Sequence, residues 1–200
     1  ALTFDADQDA RTANLYGEVR VQPAERLTLI AGAIYADGWR KRQVSYSVGQ
    51  TQDGRIAFDE FSPKFGVLFD ATPDVQLYAN YSRSAEFPGF GEVFQSVTVN
   101  GVTTSTFIDA IRPQTAWTAE VGTRGKVGAL SWDISAYRAR VKGELLQYNV
   151  DVNGGIPAST FNADRTLHQG IEAGLTLDPT AWLRLRQTWM YSDFRFRDDP

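Results

Sequence analysis

Cysteine is missing from this 200-residue chain, and methionine and histidine occur once each, as Met190 and His168. Disulfides, thiolate metal centres and thiol nucleophiles are thereby excluded. A transition-metal site built from soft or imidazole ligands has no donor set here. No run of about 18 apolar residues occurs, so no transmembrane helix is encoded. A cationic excess is lacking too: 20 Lys and Arg stand against 24 Asp and Glu, a net charge of −4. No nucleic-acid partner is expected from that balance, because such proteins carry a basic face.

What is present is apolar and aromatic enough to fold, at 42% and 12% of residues. The pattern has period two. Ala13, Leu15, Val19 and Val21 alternate with Asn14, Tyr16, Glu18, Arg20 and Gln22. Val75, Leu77, Ala79 and Tyr81 alternate with polar neighbours, as do Trp117, Ala119 and Val121, and again Ile171, Ala173, Leu175 and Leu177. No 3.6-residue stripe stands out, so little helix is expected. The spacing predicts strands near 12–22, 27–38, 60–71, 75–84, 114–126, 130–148, 168–178 and 182–195.

The connections carry more information than the strands. Four are short and hold turn residues: Pro23 to Arg26, Thr72-Pro73-Asp74, Val127-Gly128-Ala129 and Pro179-Thr180-Ala181. Between them lie long connections at 39–59, 85–113 and 149–167. Strict alternation puts all tight turns at one end of an up-and-down sheet and all long loops at the other. Outer-membrane barrels are laid out in this way, with short periplasmic turns and long extracellular loops. Each short turn also leads into an alternation that reaches a tyrosine: Tyr35, Tyr81, Tyr137 and Tyr191.

The face opposite the apolar residues carries Glu18, Arg20, Glu120, Arg124, Asp133, Glu172, Arg184 and Arg186. That is too polar for a soluble core and suits a wet or plugged lumen with lipid outside. Trp39, Trp117, Trp132, Trp182 and Tyr191 fall near strand ends, where interfacial girdles place amphipathic rings. The fold class expected is therefore all-β, an antiparallel up-and-down transmembrane β-barrel.

Several segments resemble TonB-dependent outer-membrane receptors of the siderophore and ferric-citrate type. They are Phe61-Ser62-Pro63-Lys64-Phe65-Gly66-Val67, Leu77 to Pro88, Arg112-Pro113-Gln114-Thr115-Ala116-Trp117 with Glu120 to Gly125, and Asn162 to Glu172. The resemblance covers residues 12 to 197 and rests on barrel motifs. It implies a transporter in the bacterial outer membrane, not an enzyme, that imports a ferric siderophore or similar metal chelate. It further implies coupling to the TonB energy complex through a plug that is not in this chain. Residues 1–200 then read as part of one barrel of about 22 strands, with later strands also missing because the chain closes on Arg197-Asp198-Asp199-Pro200. The rivals are a complete eight-stranded adhesin or structural barrel, an outer-membrane enzyme barrel and a lipocalin-like soluble binder.

A receptor of this kind grips a chelate whose metal is already ligated, so no metal site or cofactor is implied. Cationic forks hold its carboxylates, and aromatic faces contact its rings. The loop candidates are Trp39, Arg40, Arg42 and Tyr46 in the first long connection, Phe87, Phe90 and Arg112 in the second, and Arg165 in the third. Lys41 completes a Trp-Arg-Lys-Arg cluster that also suits lipopolysaccharide phosphates. His168 lacks any defensible nucleophile and reads as structural. Asp151-Val152-Asn153-Gly154-Gly155 begins like a calcium loop but lacks its later ligands, and reads as a turn.

Overall fold

A sheet in lipid must pair every backbone polar group, and the register here does so over long distances. The computed structural model describes residues 4–46, 51–99, 102–108, 110–148 and 159–197. In chain order the elements are β1 (Phe4–Ala24), β2 (Leu27–Tyr46), β3 (Thr51–Thr72), β4 (Val75–Glu86), α1 (Phe90–Val93), β5 (Phe94–Val99), β6 (Val102–Phe107), β7 (Gln114–Val127), β8 (Leu130–Tyr148), β9 (Ser159–Thr180) and β10 (Leu183–Phe196). Eight strands form one antiparallel sheet in the order β1-β2-β3-β4-β7-β8-β9-β10, and β5 and β6 form a separate hairpin. Each large strand pairs with its neighbours along the chain, the up-and-down topology that the loop alternation predicts.

The four predicted short turns are all two residues long, at 25–26, 73–74, 128–129 and 181–182. Gly128 adopts φ 59°, a left-handed conformation that favours glycine at this turn. Among the described residues β1 and β10 do not pair with each other, so the sheet is open and the closed eight-stranded barrel considered above is not formed.

One ladder across the sheet runs Val21, Leu29, Val67, Ala79, Val121, Ala136, Ile171, Tyr191. One residue further along each strand, the ladder reads Arg20, Ile30, Gly66, Asn80, Glu120, Tyr137, Gly170, Ser192. The pleat sends these two sets to opposite faces. Leu15, Val19, Val67, Val121, Ile171 and Tyr191 are all strongly exposed. Such a continuous apolar face is stable only against lipid.

The apolar band does not follow a single ladder. Its last members at the loop end are Leu15 in β1 and Tyr191 in β10, yet the ladder from Tyr191 arrives at Val21, six residues from Leu15. Six residues are about 20 Å along a strand, against about 33 Å across seven strand spacings, a tilt of roughly 30°. That is near the roughly 35–45° of outer-membrane barrels.

The polar face is built for close approach. Tyr78 lies across Gly122, where any Cβ would collide with its ring, and its hydroxyl donates to Asp133 Oδ1 at 3.1 Å. Tyr137 lies across Gly170 in the same way and its hydroxyl meets Ser192 Oγ at 3.4 Å. Glu18 pairs with Lys64 across the interposed Gly32. Gly122, Gly170 and Gly32 thus make room for tyrosine and lysine side chains of neighbouring strands.

Three expectations need correction. Strands predicted at 12–22, 27–38, 60–71 and 168–178 extend to Phe4–Ala24, Leu27–Tyr46, Thr51–Thr72 and Ser159–Thr180. The first long connection therefore shrinks to four residues, 47–50. The added lengths of strand lie beyond the apolar band, where the lipid-side face turns polar and hydrophobic period two weakens, although Val44 and Phe58 are buried on the inner face. The second connection is not irregular throughout, because it folds into α1 and the β5–β6 hairpin. The turn read at 151–155 and the closing residues 198–200 lie outside the described residues.

Val121→Arg is expected to destabilise the sheet by about 2–4 kcal/mol, because it places a cation at mid-band on the lipid face. Ser135→Arg, on the polar face, should cost under about 1 kcal/mol. Reversible unfolding of the intact protein in lipid vesicles checks both, and equal costs would contradict the face assignment.

Candidate functional site

At the loop end the polar face is covered by the chain between β4 and β7. Gly89 N–H donates to the Glu92 carboxylate and Gly89 carbonyl accepts from Val93 N–H, which closes the single turn of α1. Ile108 N–H then donates to Val93 carbonyl at 2.8 Å and ties the far side of the hairpin back to the helix. Phe58, Val93, Phe94 and Ile111 are buried together, with Ile56, Phe87, Phe90, Phe107, Ile108 and Leu145 packed around them. The rings touch in series: Phe58 to Phe87 at 5.5 Å, Phe90 to Phe94 at 6.0 Å and Phe94 to Phe107 at 5.2 Å between centroids.

This cluster needs bare backbone beneath it. A Cβ at Gly54 would lie 2.6 Å from Phe94 and 2.7 Å from Phe107, and one at Gly38 would lie 3.2 Å from Phe87. Gly38 and Gly54 stand on the same face as Arg42 and Phe58, so the insert sits inside the curve of the sheet rather than on its lipid side.

Arg42 lies under this cover. It is 9% exposed, its guanidinium stands 5.7 Å from the centre of the Phe94 ring, and its Nε has no hydrogen-bond partner among the described residues. A buried guanidinium nitrogen without an acceptor is costly, and its ordinary remedy is an anionic or carbonyl group brought alongside. Arg40, two residues away on the same face, instead spends Nη1 on Arg11 carbonyl, Thr12 Oγ1 and its own Trp39 carbonyl, at 3.0–3.3 Å.

The sheet has a seam beside the cluster. Pairing between β3 and β4 stops at Lys64–Ser82, while β3 continues against β2 as far as Thr51. Pro63, which has no N–H to offer, follows immediately. Arg83 fills the gap: it donates to Phe61 carbonyl and its other nitrogen pairs with Glu60 at 2.6 Å. Above it opens a cavity of about 670 Å³, lined by Phe58, Glu60, Ile111, Arg112, Lys142 and Asn162 among others. Asn162 pins the end of the insert there. It accepts from Arg112 N–H at 2.9 Å and donates to the carbonyls of Arg112 and Gly143 at 2.9 and 2.7 Å.

The predicted candidates thus divide. Arg42, Phe87 and Phe90 come together on the inner face, with Arg40 next to them, and Arg112 lines the adjoining cavity. Trp39 points to the opposite face, where Arg55 stacks on it at 5.0 Å. Arg165 also faces outward, opposite Lys142. Tyr46 is the last residue of β2, and its side chain lies outside the described residues. The Trp-Arg-Lys-Arg cluster read at 39–42 is therefore not one patch, because the pleat sends Trp39 and Lys41 out and Arg40 and Arg42 in. Sequence reasoning missed Phe58, Glu60, Arg83, Ile111 and Asn162. The Phe58 and Asn162 strand positions were readable as loop, and Arg83 was hidden inside a strand.

Comparison with known proteins gives a consistent fold. Residues 2–200 match the family described as TonB dependent receptor-like, beta-barrel. A search of curated protein sequences finds no match. Among solved structures, the chain is similar to the copper transporter OprC, at 19% identity and a TM-score of 0.77 over 95% of this chain and 30% of that one. It is similar to the siderophore receptor PiuA from Acinetobacter baumannii, at 18% identity and a TM-score of 0.74, covering 96% and 26%. It is also similar to the ferric yersiniabactin uptake receptor FyuA from Yersinia pestis, at 15% and 0.70, covering 97% and 28%. The chain spans less than a third of the length of each.

Asn162→Ala removes three hydrogen bonds to the insert and its neighbour, and should loosen its docking by about 2–3 kcal/mol. Limited proteolysis within 87–113 is then expected to quicken by about 30-fold or more, with the barrel's resistance to unfolding little changed. An unchanged cleavage rate would show that the aromatic cluster holds the insert without Asn162.

Proposed function

The chain belongs to the family of TonB-dependent receptor-like β-barrels, and from that premise we propose that the intact protein imports a ferric siderophore or similar metal chelate across the outer membrane. The observation that carries this reading is Arg42: a buried guanidinium whose Nε has no acceptor among the described residues, set beside Phe94 of the aromatic cluster on the inner face. An anionic chelate offers what the site lacks. Its carboxylate or phenolate oxygens accept from the guanidinium, and its rings or apolar arms lie against the phenylalanines.

The tight turns then face the periplasm and the loop end faces the medium, so the site opens toward arriving ligand. Arg42 lies beneath the β5–β6 insert, so ligand can reach it only as the insert gives way. Binding energy is thereby spent in part on moving the insert. Arg112, in the adjoining cavity, supplies a second cation. The energy for translocation comes from the TonB complex acting on a plug, and that step rests on family membership alone. Trp39 and Lys41, on the lipid side, are proposed to meet lipopolysaccharide rather than ligand.

A small closed barrel with an adhesive or structural role finds less support, since β1 and β10 stay apart. Soft-metal capture by this segment also finds little, with no cysteine and one methionine in the chain.

The intact protein, purified from outer membranes, is expected to bind at least one of a panel of ferric catecholate, hydroxamate and citrate complexes saturably, read by fluorescence quenching. Arg42→Ala should weaken that binding by about tenfold or more, the loss of one charge-assisted contact, whereas Trp39→Ala should change it by less than about twofold. Failure to bind any ferric chelate would remove the reading. Equal binding by Arg42→Ala would remove the site.

A further inference from the structure

On the lipid-facing side of β8 the outward residues are Leu130, Trp132, Ile134 and Ala136, and then, without interruption, Arg138, Arg140 and Lys142. All three cations are exposed, and none has an ion-pair or hydrogen-bond partner among the described residues. Their direct cross-strand neighbours are Ala119, Trp117 and Thr115 on β7 and Gln169, Leu167 and Arg165 on β9. No carboxylate is among these six. Leu167 is only 4% exposed between Arg140 and Arg195, its two cross-strand partners.

The setting is that of a membrane surface. Trp117 stacks on Tyr81 at 4.8 Å between ring centroids, on the same outward face, where interfacial rings belong. The ladder directly below Arg138 is the wholly apolar one through Ala136, Val121 and Ile171. The charge is also local. On the same outward face of β1 the loop-end residues are Asp5, Asp7 and Asp9, of opposite sign. A general excess of cations on the rim therefore does not account for the β8 ladder.

We propose that Arg138, Arg140 and Lys142 form a binding strip for the phosphate groups of an outer-leaflet glycolipid, with its acyl chains against the apolar band below. The inference deepens the reading above, since it takes the loop end to lie at the outer leaflet. Successive cations on one face of a strand are about 7 Å apart, so the strip presents a row of charges to a headgroup bearing two phosphates. The two arginines can each clasp a phosphate through a planar fork. An amphiphile fits better than free phosphate, because the strip and the apolar surface are continuous.

The test uses the intact protein in lipid nanodiscs containing phosphatidylcholine and a trace of bis-phosphorylated lipid A, with retained glycolipid measured by mass spectrometry after washing. The unaltered protein should retain it, and should not retain the enzymatically dephosphorylated form. Arg138→Gln, Arg140→Gln and Lys142→Gln together should lower retention by about a hundredfold, at about fivefold per interfacial cation. The charge-keeping Arg140→Lys should keep most of it, and Arg140→Gln alone serves if the triple variant fails to fold. Ferric-chelate binding should be unchanged in Arg140→Gln and Arg140→Lys, which leave the cavity-lining Lys142 in place, and this separates the proposal from that of the transport site. Equal retention by unaltered and Gln variants, or equal retention of phosphorylated and dephosphorylated lipid, would overturn it. Displacement by inorganic phosphate at low millimolar concentration would also do so, by showing that the anion alone is bound.

Discussion

The inter-strand ladder is the interaction on which the rest depends. Lipid offers no hydrogen bonds, so a strand that crosses it must pair on both sides along its whole membrane span. Once the register is fixed, the period of two fixes everything else: which side chains meet lipid, which meet the interior, and which turn residues end each hairpin. A slip of one residue in a single strand would put Glu120 or Arg20 into hydrocarbon and Val121 or Val21 into the lumen. The Tyr78–Gly122–Asp133 and Tyr137–Gly170–Ser192 crossings strengthen the register, because each tyrosine fits only opposite its glycine.

Where the ladder leaves the membrane, it is allowed to fail, and the candidate site occupies that failure. β3 and β4 part above Lys64–Ser82, and Arg83 supplies with its side chain what the missing strand partner would have supplied with its backbone. The inserted helix and hairpin settle on the inner face beside this seam. Their cover is aromatic and tight, yet it traps a guanidinium nitrogen that has no acceptor among the described residues. A cluster selected for stability alone would have little use for that arrangement. It is the kind of local cost expected at a binding site.

Much of this was legible in the sequence, for physical reasons. Period two over Val75–Ser82 or Trp117–Arg124 can mean only a strand with unlike faces, and short turns alternating with long connections imply a meander. The ends of β1, β2, β3 and β9 were not legible, because segments such as Asp5 to Arg11 are polar on one face and nearly so on the other, and no hydrophobic signal marks them. The inserted hairpin was hidden for the opposite reason: Phe87, Phe90, Phe94 and Phe107 are apolar but pack on one another rather than along one strand. Site residues were half legible. Arg42 and Arg40 were found as part of a basic run, but a linear cluster in a strand is two clusters in space, and nothing in residue order distinguishes them without the register.

The assignment of faces supports every functional statement and can be measured directly. This chain has no cysteine of its own, so single cysteines placed in turn from 117 to 124 in the intact protein, leaving out Gly122 where Tyr78 allows no side chain, can each carry one nitroxide label. Collision with lipid-soluble oxygen and with a water-soluble nickel chelate then reports each label's surroundings in a bilayer. The account predicts oxygen access at 117, 119, 121 and 123 and nickel access at 118, 120 and 124. Uniform access along the strand, or the reverse alternation, would contradict it.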